Sequence, residues 1–532
     1  MADWQSGPLA VAAVPGAGKS HGMAAAAAIA IARHRLDLTH QLVLVTFTRS
    51  AATHLKQKVR QFLKDLDLPQ TGFMVQTLHS LALNIASRHP QHTGIDLANA
   101  TLISPYQSHR LIRQCVEQWI QAQPNLYRLL LETGTLSGEE GDRLRRQSAL
   151  RTEILPDLAR TAIRTAKSSG LTPDNLLHLS DRIPDDLPIL AIAAGLYAQY
   201  NTLLHQSGWM DYDDMILAAL RVLADPAILA TWQAQIFAVF EDEAQDSTPL
   251  QSQLLELLAT NAANPAQRNL VRVGDPNQAI NSTFTPADPI YFRTFCQACA
   301  RDRHLAEMNQ SARSCQPILD VANFMLTWAN RSPLVGTEQP FTPQTIHPVP
   351  SQEALRNPSP IGCGVELHFP PDIYQSVDRI AQHAIQLWAE QPDLRMVVLV
   401  RENRQARFLA DVLSDPNRYG LSVDLAAHDI PIFDVGASDR RSHVPTEMLA
   451  ILQFLARPHS PDYFKAALKV LAQRQIIPAS DFNPLAHEPE QVLYPGPLAP
   501  DASELMVQIR QVCCPFLEAR WGLPLSQLIA YL

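Results

Sequence analysis

The chain has 532 residues, 46% of them hydrophobic and 18% charged, with 43 Lys and Arg against 52 Asp and Glu for a formal net charge of -9. That length exceeds what one hydrophobic core organises, so two to four domains are expected, and the absence of an apolar run long enough to cross a bilayer removes membrane functions. The acidic balance excludes coating of nucleic acid by bulk charge, so any such contact must be local.

In chain order, Leu9 to Val14 reads as a buried strand. It runs into Ala13-Val14-Pro15-Gly16-Ala17-Gly18-Lys19-Ser20 and then into the alanine-rich stretch Met23 to Ala32, which reads as a buried helix rather than a signal peptide; a cytoplasmic location is expected. Strand, glycine-bearing turn and helix in that order form the context of a P-loop. Gly16 and Gly18 let backbone amides curl around phosphates, and the helix N-terminus adds partial positive charge. Lys19 would reach the β- and γ-phosphates, and Ser20 would ligate Mg²⁺. Ala13 stands where the simplest pattern has glycine.

Leu42 to Phe47 is the next expected strand. From about His89 to His205 the amphipathic patterns Leu111 to Gln121 and Ile154 to Lys167 dominate, which predicts an inserted helical subdomain. Ile236 to Phe240 is then a strand running into Asp242-Glu243-Ala244-Gln245-Asp246. Alone, these acids would read as a solvated turn; the apolar run before them places them at the edge of a buried sheet, where open α/β folds bind ligands. Asp242 suits an Mg²⁺ ligand, and Glu243 a base for the water that attacks a γ-phosphate. Leu270 to Val273 repeats the design, ending in Gly274-Asp275-Pro276-Asn277-Gln278, a turn that puts Gln278 where it could sense a γ-phosphate. Strands alternating with helices in this way predict an α/β fold with a parallel sheet.

Seven cysteines, with only Cys296 and Cys299 in C-x-x-C spacing beside Phe292 and Phe295, predict buried thiols on a helix rather than a zinc site. Pro333 to Pro360 predicts an exposed connection, Met396 to Val400 a buried strand, and Gln405 to Leu413 the helix after it. Beyond Asp429 the pattern is helical again, at Thr446 to Ala456 and Tyr463 to Ala472.

The P-loop, Leu44 to Ala52 (LVTFTRSAA), Val75 to Ala82 (VQTLHSLA), Met210 to Ile216 (MDYDDMI), the acidic strand end, the Gly274 to Gln278 turn and Ser311 to Leu319 (SARSCQPIL) form an ordered series. The series resembles the UvrD/Rep/PcrA family of superfamily 1 DNA helicases over most of the chain, to about Asp429. The resemblance implies RecA-like P-loop parallel sheets with inserted helical subdomains. It places a first RecA-like ATP-binding domain at 1–88 and 206–304, an inserted helical subdomain at 89–205, an incomplete second RecA-like domain at 305–428, and the start of a second helical insertion at 429–532. It implies a 3′ to 5′ translocase and helicase that uses ATP and Mg²⁺ on single-stranded DNA in repair or replication. Lys19, Ser20, Asp242, Glu243 and Gln278 would serve ATP, and Arg313 would reach the γ-phosphate from the second domain. Phe47, Thr48 and His79 match positions that line the DNA strand, with Phe284 as a further stacking residue.

Four departures shape the expectation. Ala312 stands in place of the family's adenine-stacking tyrosine, and Asn281 to Phe284 lacks the usual aromatic and arginine-rich character. The family's adenine-binding glutamine motif would precede Met1, and the later Thr-x-His-x-x-Lys-Gly and arginine motifs have no counterpart. The expectation is a chain cut at both ends, with hydrolysis crippled and a complementing polypeptide carrying the missing motifs. The competing readings are a degenerate nucleotide- and DNA-binding module, and part of a helicase-nuclease subunit of the AddA/RecB kind, which would need a nuclease domain.

Overall fold

The structure is a computed structural model that describes residues 1–97, 100–132, 149–183, 188–261, 264–278, 288–332, 339–350, 356–392, 394–434, 446–474, 476–487, 489–493 and 502–522. Two compact units are present, Met1–Glu366 and Leu367–Leu532.

The first unit is built on six strands: β1 (Leu9–Ala13), β2 (Gln41–Thr46), β3 (Phe73–Thr77), β4 (Ile236–Asp242), β5 (Leu270–Gly274) and β6 (Leu305–Met308). They lie in the order β6-β1-β5-β4-β2-β3 with every neighbouring pair parallel. Strand side chains alternate between faces, and β2 shows the consequence. Leu42 and Leu44 pack on one face against α1 (Lys19–His34) and α2 (Arg49–Asp65), through Met23, Ala27, Ile31, Leu55, Val59 and Leu63. Val43 and Val45 pack on the other face with Leu81 and Ile85 of α3 (Leu78–Arg88). The buried alanines of α1, from Ala24 to Ala30, let that helix lie close on the sheet.

The expected helical insertion has its own core. Helices α4 (Pro105–Ala122), α5 (Leu155–Ser168) and α6 (Ile189–Gln206) bury Trp119, Leu155, Ile163, Leu196 and Tyr197 together. The chain then re-enters the sheet layer through α7 (Tyr212–Leu223), and α8 (Pro249–Ala259) completes the second face with Leu254 and Leu258. After β5 come α9 (Pro289–Arg301), where Cys296 and Cys299 are buried free thiols beside Phe292, and, beyond β6, α10 (Gln316–Arg331). Burial pushes the Cys296 thiol up to about 12, which keeps it protonated.

Two strands escape the sequence patterns. β3 is interrupted by Gln76 and Thr77, and β6, at 305–308, adds to the edge of the first sheet by pairing with β1, so residues expected to open the second domain complete the first. The proline-rich connection is only in part a free loop. Asn330 bonds Phe341 in both directions, Asn323 does the same with Ile346, and Asn357 reaches Val349, so these segments are strapped beside α10.

In the second unit the helices Ile373–Glu390 and Asn403–Ser414 bury Val377, Ala381, Val412 and Leu413. Helices Thr446–Ala456, Pro461–Gln473 and Glu504–Gly522 share a separate core around Phe454, Phe464 and Cys513. The buried strand expected at Met396 to Val400 is not formed: these residues join no sheet, and Val397 and Leu399 are 79% and 90% exposed. An apolar run becomes a buried strand only when neighbours supply ladder bonds and cover both faces, and among the described residues of this unit no strand does so. No single helix among the described residues is long and apolar enough to cross a membrane.

Candidate nucleotide site and strand-binding cavity

Parallel strands send their chain exits to one edge of the sheet, and here four adjacent strands end almost flush. Ala12 of β1 pairs with Gly274, Val273 of β5 with Asp242, and Ala13 with Met308 of β6. The P-loop, the acidic pair, the Asp275–Gln278 turn and the Ser311–Arg313 stretch therefore converge, although up to some 300 positions separate them in sequence.

Gly16 and Gly18 have φ of 82° and 79°, the left-handed region that glycine enters freely, and α1 begins at Lys19 directly after them. Lys19 Nζ lies 2.8 Å from Glu243 Oε2, and Ser20 Oγ donates to Asp242 Oδ2 at 2.7 Å. Burial raises the Asp242 pKa, with the Glu243 charge adding to the rise, while the Ser20 bond opposes it. Glu243 itself sits at φ 55°, a left-handed conformation uncommon outside glycine, of the kind that clusters at functional sites.

Gly16 is needed for a second reason. A Cβ there would meet Ser311 Oγ at 2.3 Å and Arg313 Cβ at 2.8 Å, so the stretch after β6 packs directly on the P-loop and brings Arg313 to it. Gln278 lies on the same edge, its backbone amide donating to the Asp275 carbonyl at 3.2 Å. Ala13 to Ser20, Asp242, Glu243, Gln278 and Arg313 thus occupy one edge of one sheet. Sequence reasoning gave no role to Ser311, which is 1% exposed, or to Gln245, treated below.

A cavity of about 800 Å³ opens between the sheet domain and the helical insertion, lined by Phe47, Arg49, His79, Arg164, Tyr212 and Asp213 among others. Half-buried Phe47 directly follows the buried run of β2, and His79, in the first turn of α3, meets Tyr212 edge-on at 5.0 Å. Burial lowers the His79 pKa, favouring the neutral ring. Thr48 is exposed, and its hydroxyl caps α2 by accepting from the Ala51 amide at 3.1 Å. Phe284 lies outside the described residues. Tyr212 is a cavity residue that sequence reasoning did not single out.

In the wall of the cavity an ion-pair cluster joins the insertion to the sheet domain. Lys167 of α5, only 2% exposed, meets Asp211 Oδ2 at 2.6 Å and Asp214 Oδ1 at 2.7 Å, and Tyr200 of α6 donates to Asp211 at 3.2 Å. Asp211 and Asp214 also form the capping box that starts α7. Burial alone would discharge the lysine, but the two carboxylates overcome it and its pKa is raised. Asp213 faces the cavity with its pKa pushed up to about 7, chiefly by burial and then by the Asp211 charge. The capping box is visible as D-x-x-D in the sequence; Lys167 carries no local signal.

A left-handed glycine turn feeding a helix, a lysine and a serine set against two strand-end carboxylates, and a parallel sheet around them define a P-loop α/β nucleotide-binding protein. The chain matches the family UvrD/REP helicase N-terminal domain over residues 2–299, more than half its length, and belongs to that family. It is 23% identical over 421 residues to the ATP-dependent DNA helicase SRS2 of Saccharomyces cerevisiae, covering 76% of this chain and 32% of that protein. It is 25% identical to the ATP-dependent DNA helicase PcrA of Leuconostoc citreum, covering 61% of this chain and 38% of PcrA. With DNA helicase II of Rickettsia typhi it shares 26% identity over 52% of this chain and 36% of that protein. The chain thus spans about a third of the length of these relatives.

Proposed function

We propose that the chain binds ATP with Mg²⁺ at the P-loop edge and grips single-stranded DNA in the neighbouring cavity, as the nucleotide-binding part of a 3′ to 5′ DNA translocase and helicase. The observation that carries this reading is the pairing of Lys19 with Glu243 and of Ser20 with Asp242, which joins the ends of β1 and β4 across β5, with Arg313 delivered to the same loop. The hard oxygen donors Ser20 Oγ and Asp242 Oδ2 fit Mg²⁺, which takes one or two protein oxygens alongside substrate phosphates and keeps several waters. Bound there, the ion would neutralise charge on the phosphates.

The chain's own groups then divide the work. P-loop amides and the α1 N-terminus hold phosphate oxygens, and Lys19 leaves Glu243 for the β- and γ-phosphates. That exchange frees the Glu243 carboxylate to accept a proton from the attacking water, while Gln278 senses the γ-phosphate and Arg313 counters charge on it. Phe47, His79 and Tyr212 offer ring faces and edges on which bases of any identity can stack, and Arg49 and Arg164 supply local positive charge that the net charge of -9 denies the surface as a whole. Thr48 acts in this reading by shaping the start of α2, and Phe284 by stacking. A cytoplasmic location and a role in repair or replication complete it.

A further part of the proposal is a complementing polypeptide. The exposed apolar residues Leu367, Phe369, Val397 and Leu399 suit pairing with strands supplied from outside the described residues. An arginine in trans is worth about 10³ to 10⁵ in rate for related NTPases, so hydrolysis by this chain alone should be slow. The test is ATP hydrolysis and nucleotide binding by the purified chain, with and without single-stranded DNA, beside Lys19→Ala. Binding lost in Lys19→Ala, with slow or no turnover, supports the reading. Fast DNA-stimulated turnover would show that no complementing group is needed, and failure to bind nucleotide would refute the reading.

A further inference from the structure

Gln245 is 1% exposed, and both ends of its side-chain amide are engaged. Nε2 donates to Glu243 Oε2 at 2.8 Å, the same oxygen that meets Lys19, and Oε1 accepts from the Asp275 backbone amide at 3.0 Å. The fit is close: a Cβ on Gly274 would lie 2.6 Å from Gln245 Oε1 and 3.2 Å from its backbone nitrogen, so the strand end can carry no side chain there. Beyond Asp275 the bonds continue without a break. Its Oδ1 accepts from the Asn277 backbone amide at 3.0 Å and from Gln344 Nε2 at 3.3 Å, and the Asn277 side chain bonds the Thr342 backbone in both directions at 2.8 and 2.9 Å. Phe341 and Ile346, on either side, are tied to Asn330 and Asn323 of α10.

We propose that Gln245 is a positioning residue that holds Glu243 in place and links it, through the Gly274–Asp275 strand end, to the 342–344 segment and α10. The proposal rests on the nucleotide-binding reading above. Its physical basis is that a planar amide bonded at both ends cannot follow Glu243 without moving the Asp275 amide, and an unmade bond at either buried end is costly. When phosphates draw Lys19 away, Glu243 loses its cation and Gln245 remains its side-chain tether. A change at the carboxylate then passes to Asp275, to Asn277 and Gln344, and to the strap on α10. The network has the form that carries coupling between sites, a contiguous chain of direct hydrogen bonds.

The test compares backbone hydrogen exchange of the full chain with and without a non-hydrolysable ATP analogue plus Mg²⁺, in wild type and in Gln245→Leu, with the analogue's Kd measured alongside. In the wild type, binding is expected to slow exchange both at 273–278 and at 340–347. Gln245→Leu is expected to bind the analogue within about threefold of wild type, since it touches no phosphate, yet to lose the response at 340–347. Where the wild type turns over, kcat of Gln245→Leu should fall about 10- to 100-fold, as for loss of a hydrogen bond to a charged group, with KM little changed. Gly274→Ala, whose methyl would push Gln245 aside, should uncouple the same segment and serves if Gln245→Leu fails to fold. An unchanged response at 340–347 in the variant, or no response there in a wild type that binds, overturns the proposal. A wild type that does not bind the analogue defeats the nucleotide reading itself, and the relay with it.

Discussion

Lys167→Met removes the ammonium from the cluster that joins the helical insertion to the sheet domain while keeping most of the aliphatic stem. Asp211 and Asp214 would be left facing each other at an almost fully buried site, 2.6 and 2.7 Å from where the charge had been. Breaking a buried ion pair on one side costs about 3–5 kcal/mol, more than the pair itself contributes, because an uncompensated charge stays buried. For a melting unit of 150–250 residues each kcal/mol corresponds to about 2–4 °C, so a fall in Tm on the order of 6–20 °C is expected by calorimetry or circular dichroism. The cost arises from the orphaned carboxylates rather than from a lost attraction. The triple variant Lys167→Met, Asp211→Asn, Asp214→Asn should therefore recover at least half of the loss, and Asn at 211 still caps α7. Since Tyr212 and Asp213 sit between the two carboxylates and line the cavity, the single variant should also weaken binding of a single-stranded oligonucleotide more than binding of ATP. A Tm within 2 °C of wild type for the single variant, or a triple variant no more stable than the single, would refute the reasoning.

Asp213 is expected to make stability, and the proposed binding of single-stranded DNA, depend on pH. Its folded pKa of about 7 lies above the ordinary carboxylate value, so between about pH 4 and 7 the folded chain holds a proton that the unfolded chain has released. The stability this provides is present at acid pH, declines as pH rises through that window and is gone above about 7; Asp213→Asn should remove this decline from a urea-midpoint series taken between pH 5 and 8. The same ionisation adds negative charge to the cavity, so oligonucleotide affinity should drop as pH passes 7 in wild type and less in Asp213→Asn, measured at fixed salt. Gly16→Ala forces a non-glycine residue to φ 82° and a methyl to 2.3 Å from Ser311 Oγ, and should weaken binding of a fluorescent ATP analogue at least tenfold, about 1.4 kcal/mol. Adding Ser311→Gly should recover part of that loss, and a Gly16→Ala chain that binds as wild type would show that the Ser311–Arg313 stretch does not rest on the P-loop.

The strand ends of the proposed site were legible in the order of local patterns. Leu9 to Val14 before Gly16 and Gly18, and Ile236 to Phe240 before Asp242 and Glu243, announce strand ends that meet at one sheet edge, because an apolar run specifies burial and the polar residues after it must then emerge at an edge. The helices Pro105–Ala122 and Leu155–Ser168 were equally plain, since Leu111 to Gln121 and Ile154 to Lys167 repeat at the helical period. The strand expected at Met396 to Val400 shows the limit of such patterns: apolar periodicity records a capacity to pair, and pairing depends on strands that come from elsewhere. Other features depended on the tertiary structure for the same reason. Strand order β6-β1-β5-β4 sets Arg313 on the P-loop and lets Gln245 reach Asp275, and the approach of α5 to the start of α7 gives Lys167 its two carboxylates. Contacts between residues tens or hundreds of positions apart leave no trace in a local window; short-range chemistry wrote the motifs, and the parallel sheet decided which of them would meet.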